Sequence, residues 1–192
     1  MKRALEIALA VALVPFAVPV VLVCMGAIRA TSPGPALFRQ ARVGRSEETF
    51  TCYKLRTMRT GTGDVPSHEA PASSVTPVGA WLRRLKLDEL PQLWNILRGD
   101  MSFVGPRPCL PSQTRLIAAR RAHGLYAIRP GITGVSQVQG VDMADPERLA
   151  ALDATYLSDR SLRADLRLIV ATAFGAGRRD SVRQPPEPRG EM

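Results

Sequence analysis

Leu87-Asp88-Glu89-Leu90-Pro91-Gln92-Leu93-Trp94-Asn95-Ile96-Leu97-Arg98-Gly99-Asp100-Met101-Ser102-Phe103-Val104-Gly105-Pro106-Arg107-Pro108 is the most distinctive stretch of this chain. It joins two adjacent carboxylates to an arginine held between prolines. Asp88 suits a helix N-cap, with Pro91 inside the first turn, where its missing N–H is tolerated. Leu90, Leu93, Trp94 and Leu97 supply an apolar stripe, and Gly99 is a C-terminal stop. Met101 to Val104 then reads as a short apolar strand. Helices interleaved with short strands predict an α+β fold.

Working outward, Val78 to Leu87 reads as a helix. It has Trp81, Leu82 and Leu85 on one side and Arg83, Arg84 and Lys86 beside them. Ala36 to Gln40 and Phe50 to Met58 read as strands of a hairpin around the polar turn from Gly44 to Glu48. Gly61 to Ser74, rich in Gly, Pro, Ser and Thr, is a mobile loop, read as a solvent connection before a lid, with His68 solvated in it. Thr114 to Arg121 is a further helix. Asp145-Pro146 starts another, through Leu157. Leu162, Leu166, Ile169 and Ala173 lie at helical spacing with Arg160, Arg163 and Arg167 nearby. That pattern fits either a helix in a membrane interface or a surface helix packed on the core. From Arg178 the tail is polar and proline-rich, and is predicted disordered.

Ala4 to Ile28 is almost wholly apolar, with Glu6 its only charge, and is long enough to reach across a bilayer core. Pro15 and Pro19 lie in its middle, where each removes a backbone donor. Lys2 and Arg3 precede it, and Arg29, Arg39, Arg42 and Arg45 follow. The positive-inside rule pulls both ends to the cytoplasmic face. A re-entrant helix that bends at proline and returns satisfies both observations, if its freed carbonyls find partners. A straight span is the main alternative. A signal peptide lacks a small-x-small site near Ile28-Arg29-Ala30, and a core helix would be less hydrophobic.

The 192 residues suffice for one domain plus a membrane element. Lys and Arg number 26 against 17 Asp and Glu, a formal charge of +9, which favours an anionic partner. Nucleic acid is disfavoured: aromatics are only 5% of the chain, and no helix-turn-helix, zinc or RNP-like signature appears. Cys24, Cys52 and Cys109 are scattered, which excludes a disulfide framework or zinc cluster.

Neighbouring residues on a helix point about 100° apart, so two carboxylates can serve two tasks in one cleft. A helix N-terminus would keep Asp88 ionised and welcome a phosphate. Two anions do not meet unaided. Mg²⁺, which binds through one or two carboxylates plus phosphate oxygens, would bridge them, with Glu89 as its ligand. A carboxylate attacking phosphorus would form an acyl phosphate. Taken alone, Asp-Glu at a helix start is ordinary capping. Arg107, between Pro106 and Pro108, is pre-organised for a phosphate fork, the alternative being a structural pair with a carboxylate. Lys54, Arg56 and Arg129 are further phosphate candidates, equally suited to lipid headgroups or solvent.

The run from Asp88 to Pro108 resembles the bacterial sugar transferases, the monotopic phosphoglycosyl transferases. Phe38-Arg39-Gln40-Ala41-Arg42-Val43-Gly44, Tyr53-Lys54-Leu55-Arg56-Thr57-Met58 and Arg129-Pro130-Gly131-Ile132-Thr133-Gly134 resemble further motifs of that family, in its order. The resemblance runs from Lys2 to about Thr172. It implies that Asp88 is the nucleophile and that Glu89 serves a Mg²⁺ site. It implies transfer of a sugar 1-phosphate from a UDP-sugar to polyprenyl (undecaprenyl) phosphate, releasing UMP and initiating a surface glycan. It also implies a re-entrant helix with the catalytic domain on the cytoplasmic face of the bacterial inner membrane. Two departures stand out. Val18-Pro19 replaces the family's Ser-Pro at the bend. Val135 and the run Gln139-Gly140-Val141-Asp142-Met143 stand where many members have Trp and an Asn-Gly-Arg turn. The expected organisation is a re-entrant membrane helix over 1–30, a catalytic domain over 31–177 with a β-hairpin and interfacial amphipathic helices, and a disordered tail over 178–192. A non-catalytic membrane scaffold of the same fold is the alternative, and homo-oligomerisation stays open.

Overall fold

The computed structural model describes residues 2–62 and 70–176. His68, most of the predicted loop and the tail over 178–192 lie outside the described residues.

The apolar segment forms one helix, α1 (Lys2–Thr31), with Pro15 and Pro19 inside it rather than dividing it in two. Each proline leaves the carbonyl four residues earlier without its helical donor. One stripe of α1 packs inward along the whole length. Ala10 and Ala17 join Cys52, Leu93, Ile96 and Met101, while Val21, Cys24 and Ile28 join Ala36, Leu55 and Leu82. Both ends of the helix therefore rest on the same domain. Leu9, Val11, Phe16, Val18, Leu22 and Val23 stay exposed, which excludes a core helix. Among the described residues, α1 is the one helix long and apolar enough to cross a membrane.

The hairpin forms as expected. Strands β1 (Leu37–Val43) and β2 (Thr49–Leu55) pair antiparallel, Leu37 opposite Leu55 and Val43 opposite Thr49. Helix α2 (Pro77–Arg84) begins at the cap Thr76, whose Oγ1 accepts from Gly79 N at 2.9 Å. A Cβ on Gly79 would lie 2.0 Å from Thr57 O, so this glycine lets α2 approach the chain leaving β2.

The acidic pair departs from expectation. Lys86 adopts φ 56°, and Leu87–Glu89 form a separate 3-10 turn. Helix α3 (Gln92–Arg98) starts only after Pro91, so Asp88 caps no helix. The left-handed Lys86 reverses the chain and starts the turn there instead. The apolar stripe shifts as well. Leu93 and Ile96 are buried, whereas Trp94 is exposed. Helix α3 packs against α1 on one side and β2 on another, which turns polar Asn95 inward. Asn95 Oδ1 accepts from Tyr53 N at 3.1 Å and its Nδ2 donates to Thr51 O at 2.7 Å, fixing α3 to β2.

Gly99 ends α3 at φ 98°. Strand β3 (Ser102–Val104) pairs with β4 (Gly131–Thr133), and this pair is parallel. Helix α4 (Thr114–Ala122) lies between them in sequence, and α5 (Val135–Val138) follows. Helix α6 (Pro146–Ser158) is capped by Asp145, which accepts from Arg148 N at 3.2 Å. Helix α7 (Leu162–Ala173) packs one face on the core, as the surface-helix reading has it, and leaves an apolar face open. Leu168 and Ile169 pack beside Val104, Ile128 and Tyr156, while Leu162, Leu166, Val170 and Phe174 are exposed. Two small sheets among helices make the α+β fold.

Candidate active site

The 3-10 turn presents Asp88 and Glu89 as buried neighbours. Strand β2 brings Lys54 to them: its Nζ lies 3.2 Å from Glu89 Oε1. Arg107 Nη2 lies 2.8 Å from the same oxygen. Asp88, Glu89, Lys54 and Arg107 thus converge, and Arg107 takes the carboxylate pairing that was its alternative role. Arg56 and Arg129 do not join them. The Arg56 guanidinium donates to Ser32 O at 2.9 Å and Pro33 O at 2.6 Å, tying down the turn after α1. Arg129 Nε donates to Gly99 O at 2.7 Å and lines a different pocket. Pro19 lines an apolar groove of about 640 Å³ between α1 and α2, together with Val23, Cys24, Trp81 and Leu82. The groove reaches Leu87, the residue before Asp88.

Two buried arginines hold the turn that carries Arg107. Arg120 Nη1 donates to the carbonyl of Arg107 at 2.7 Å, and Arg42 Nη1 donates to that of Pro108 at 2.9 Å. Arg120 is paired with Asp153 at 3.2 Å, and Asp153 also accepts from Ser136 Oγ at 2.7 Å. Close backbone crossing explains the glycines around this turn. A Cβ on Gly131 would lie 2.1 Å from Gly105 N. Sequence reasoning gave Arg42 no role beyond a flanking charge within a family motif and passed over Arg120 and Asp153. An arginine reads as a surface residue until its partner is known.

Burial pushes the Asp88 carboxyl up to about 6, and neighbouring Glu89 adds to this, against Lys54, Arg83 and Arg107, which lower it. The expectation that a helix N-terminus holds Asp88 ionised is corrected: Asp88 lies inside a 3-10 turn, caps no α-helix, and burial raises its pKa. Arg83 was also missed as a site residue. Its Nε donates to Thr57 Oγ1 at 2.9 Å, and its Nη1 is buried with no hydrogen-bond partner among the described residues. Cys52, which lines the same small cavity as Lys54 and Arg107, has its thiol pushed up by burial.

The donor set fits Mg²⁺ of one kind. Among the described residues no three His, Cys, Asp or Glu side chains group together, so no all-protein cage is built. Two adjacent buried carboxylates, one with its charge disfavoured by the other, suit an ion shared with substrate phosphates.

The family model for bacterial sugar transferases matches residues 1–178. A UDP-glucose:undecaprenyl-phosphate glucose-1-phosphate transferase of Caulobacter vibrioides is 41% identical over 181 residues, covering 89% of this chain and 67% of that protein. An undecaprenyl-phosphate glucose phosphotransferase of Komagataeibacter xylinus is 37% identical over 185 residues, covering 89% of this chain. The alignment takes in only 35% of that longer relative. The exopolysaccharide production protein ExoY of Sinorhizobium fredii is 34% identical, covering 89% of this chain and 83% of that protein.

Proposed function

The chain belongs to the bacterial sugar transferase family, and from there we propose that it transfers a sugar 1-phosphate from a UDP-sugar to undecaprenyl phosphate through an intermediate on Asp88. The observation that carries this reading is the buried Asp88–Glu89 pair, ringed by Lys54, Arg83 and Arg107, where an apolar groove arrives.

An oxygen of Asp88 attacks the β-phosphorus of the donor. The bond from that phosphorus to the oxygen bridging to the α-phosphate breaks, and UMP leaves. The sugar phosphate rests on Asp88 as an acyl phosphate. A phosphate oxygen of the acceptor then attacks the same phosphorus, the Asp88 carboxylate leaves, and a lipid-linked sugar diphosphate forms. Glu89 and Asp88 would hold Mg²⁺, which supplies charge neutralisation for the donor phosphates. Lys54 and Arg107 fix Glu89 and add positive charge beside it. The groove between α1 and α2 suits the acceptor's isoprenoid chain. Product of this kind starts a surface glycan such as an exopolysaccharide.

The packing of both ends of α1 on one domain supports a re-entrant placement, with the domain on the cytoplasmic face of the inner membrane. Exposed apolar residues on α1 and α7 support lipid contact.

The test is UMP release from a panel of UDP-sugars with Mg²⁺ and undecaprenyl phosphate. One or two donors release UMP, and Asp88→Asn lowers the rate on the order of 10³-fold or more. Full turnover by Asp88→Asn rejects the covalent route. Silence across the panel from folded protein favours the scaffold.

A further inference from the structure

A second pocket, of about 270 Å³, shares no lining residue with the cavity beside Lys54 and Arg107. It lies where the start of α1, the turn after β1, strand β3 and the turn between α6 and α7 meet. Five cations line it: Lys2, Arg3, Arg45, Arg129 and Arg160. Against them stand Glu6, buried and hydrogen-bonded by Ser102 Oγ, and Asp165 behind Lys2. Lys2 pairs with Asp165 at 2.9 Å, and both Lys2 and Arg3 lie within 4 Å of Glu6, at 3.8 Å and 3.7 Å. The guanidiniums of Arg45 and Arg160 make no hydrogen bond or ion pair with any described residue, and Arg129 spends only Nε, on Gly99 O. Three arginines around one concavity are thus left without an ion pair to any described residue. Burial disfavours the charged form of Arg129, its neighbours Arg3 and Arg45 add to this, and Glu6 opposes it only in part.

We propose that this pocket is a second anion site, separate from the carboxylate pair, and that it takes a phosphate group at the membrane surface. A guanidinium cluster costs mutual repulsion, which a bound phosphate relieves through charge-assisted hydrogen bonds. The volume lies below the roughly 300–1,000 Å³ usual for drug-sized ligands, which suits a headgroup rather than a nucleotide sugar. The position suits headgroup phosphates. Lys2 and Arg3 open the apolar helix α1, and Arg160 precedes the exposed Leu162 and Leu166 of α7. The phosphate comes either from an anionic lipid headgroup or from solution.

Full-length protein in neutral detergent micelles is melted with added phosphatidylglycerol, with zwitterionic phosphatidylcholine, or with inorganic phosphate. A ligand bound only by the folded state raises Tm saturably. Phosphatidylglycerol is expected to do so and phosphatidylcholine not. Arg45→Gln with Arg160→Gln weakens the apparent affinity about tenfold or more. Asp88→Asn keeps it, and so does the equal charge change Arg163→Gln with Arg167→Gln, outside the pocket. An equal, variant-sensitive shift with inorganic phosphate keeps the site and assigns it to soluble phosphate. No saturable shift with either ligand overturns the proposal. So does a shift that the Arg45/Arg160 variant retains, or one that Asp88→Asn or the Arg163/Arg167 variant abolishes. None of these readings depends on turnover.

Discussion

Asp88 is a buried carboxyl beside another carboxyl, and this sets its chemistry. With its pKa pushed up to about 6, it is ionised at neutral pH and proton-blocked in mild acid. The proposed attack needs the carboxylate. The pH profile of kcat/KM is therefore expected to fall about tenfold per unit below pH ~6. A profile flat down to pH 5 contradicts a raised Asp88 pKa in the working enzyme. The same shift bears on stability. The folded value stands above the ordinary aspartate value of 3.8, so the stabilising contribution is fully present below about pH 4 and is lost as pH rises through about 6. Asn mimics the neutral form and keeps that contribution. Asp88→Asn is expected to be more stable than the parent at pH 7.5 by about 1–3 kcal/mol. Melting at pH 7.5 and pH 4 checks this, since the difference must vanish at the lower pH.

Single elements decide where Arg107 sits, and they were unequally legible. The β1–β2 hairpin and α6 were plain in the sequence, because alternation, a glycine turn and an Asp-Pro start are local signals. The place of Asp88 was not legible. It depends on Lys86 at φ 56°, a conformation that a lysine does not advertise. The parallel β3–β4 pair was missed as a pair because each strand has three residues, too few to show periodicity. The chemistry of the site came from the resemblance of whole motifs, since an Asp-Glu pair alone reads as capping. The scaffold of Arg107 was hidden for a further reason. Arg120 and Asp153 are 33 positions apart, and only the fold buries them as a pair holding the Arg107 carbonyl. Asp153→Ala leaves Arg120 buried and uncompensated, which costs about 3–5 kcal/mol, on the order of 10 °C in Tm. Thermal melting measures it. A loss below 1 kcal/mol would show that the pair is not what holds the turn. Gly131→Ala presses a methyl onto Gly105 N and is expected to cost about 1–3 kcal/mol by chemical denaturation, whereas Gly26→Ala, whose Cβ meets nothing within 4 Å, is near neutral.

At the scale of the molecule, the path of α1 decides which compartment the site faces. A straight span puts the two ends of a helix on opposite sides of the bilayer. In this fold, Ala10 packs beside Leu93 and Ile96, and Ile28 packs beside Leu55 and Leu82, all within one domain. Arg3 donates to the carbonyls of Met101, at 3.3 Å, and Ile96, while Arg56 grips the turn just after the other end. Pulling either end across the membrane would strip buried apolar contacts and leave those carbonyls without donors, at about 1–3 kcal/mol for each lost partner. Both ends are therefore expected on one side. Ala4 and Ala30 are exposed, and the native Cys24, Cys52 and Cys109 are free but buried, which keeps background labelling low. Ala4→Cys and Ala30→Cys, made separately, are each expected to react with a membrane-impermeant maleimide in inverted inner-membrane vesicles and to resist it in spheroplasts. Opposite accessibility of the two positions would establish a straight span and separate α1 from the domain it packs on. Equal reactivity from the outer side would instead invert the domain and remove it from cytoplasmic UDP-sugars. Labelling of both from the cytoplasmic side is the outcome the proposed function requires, because it lets one buried carboxylate meet a soluble donor while the exposed apolar faces of α1 and α7 face the lipid that would carry the acceptor.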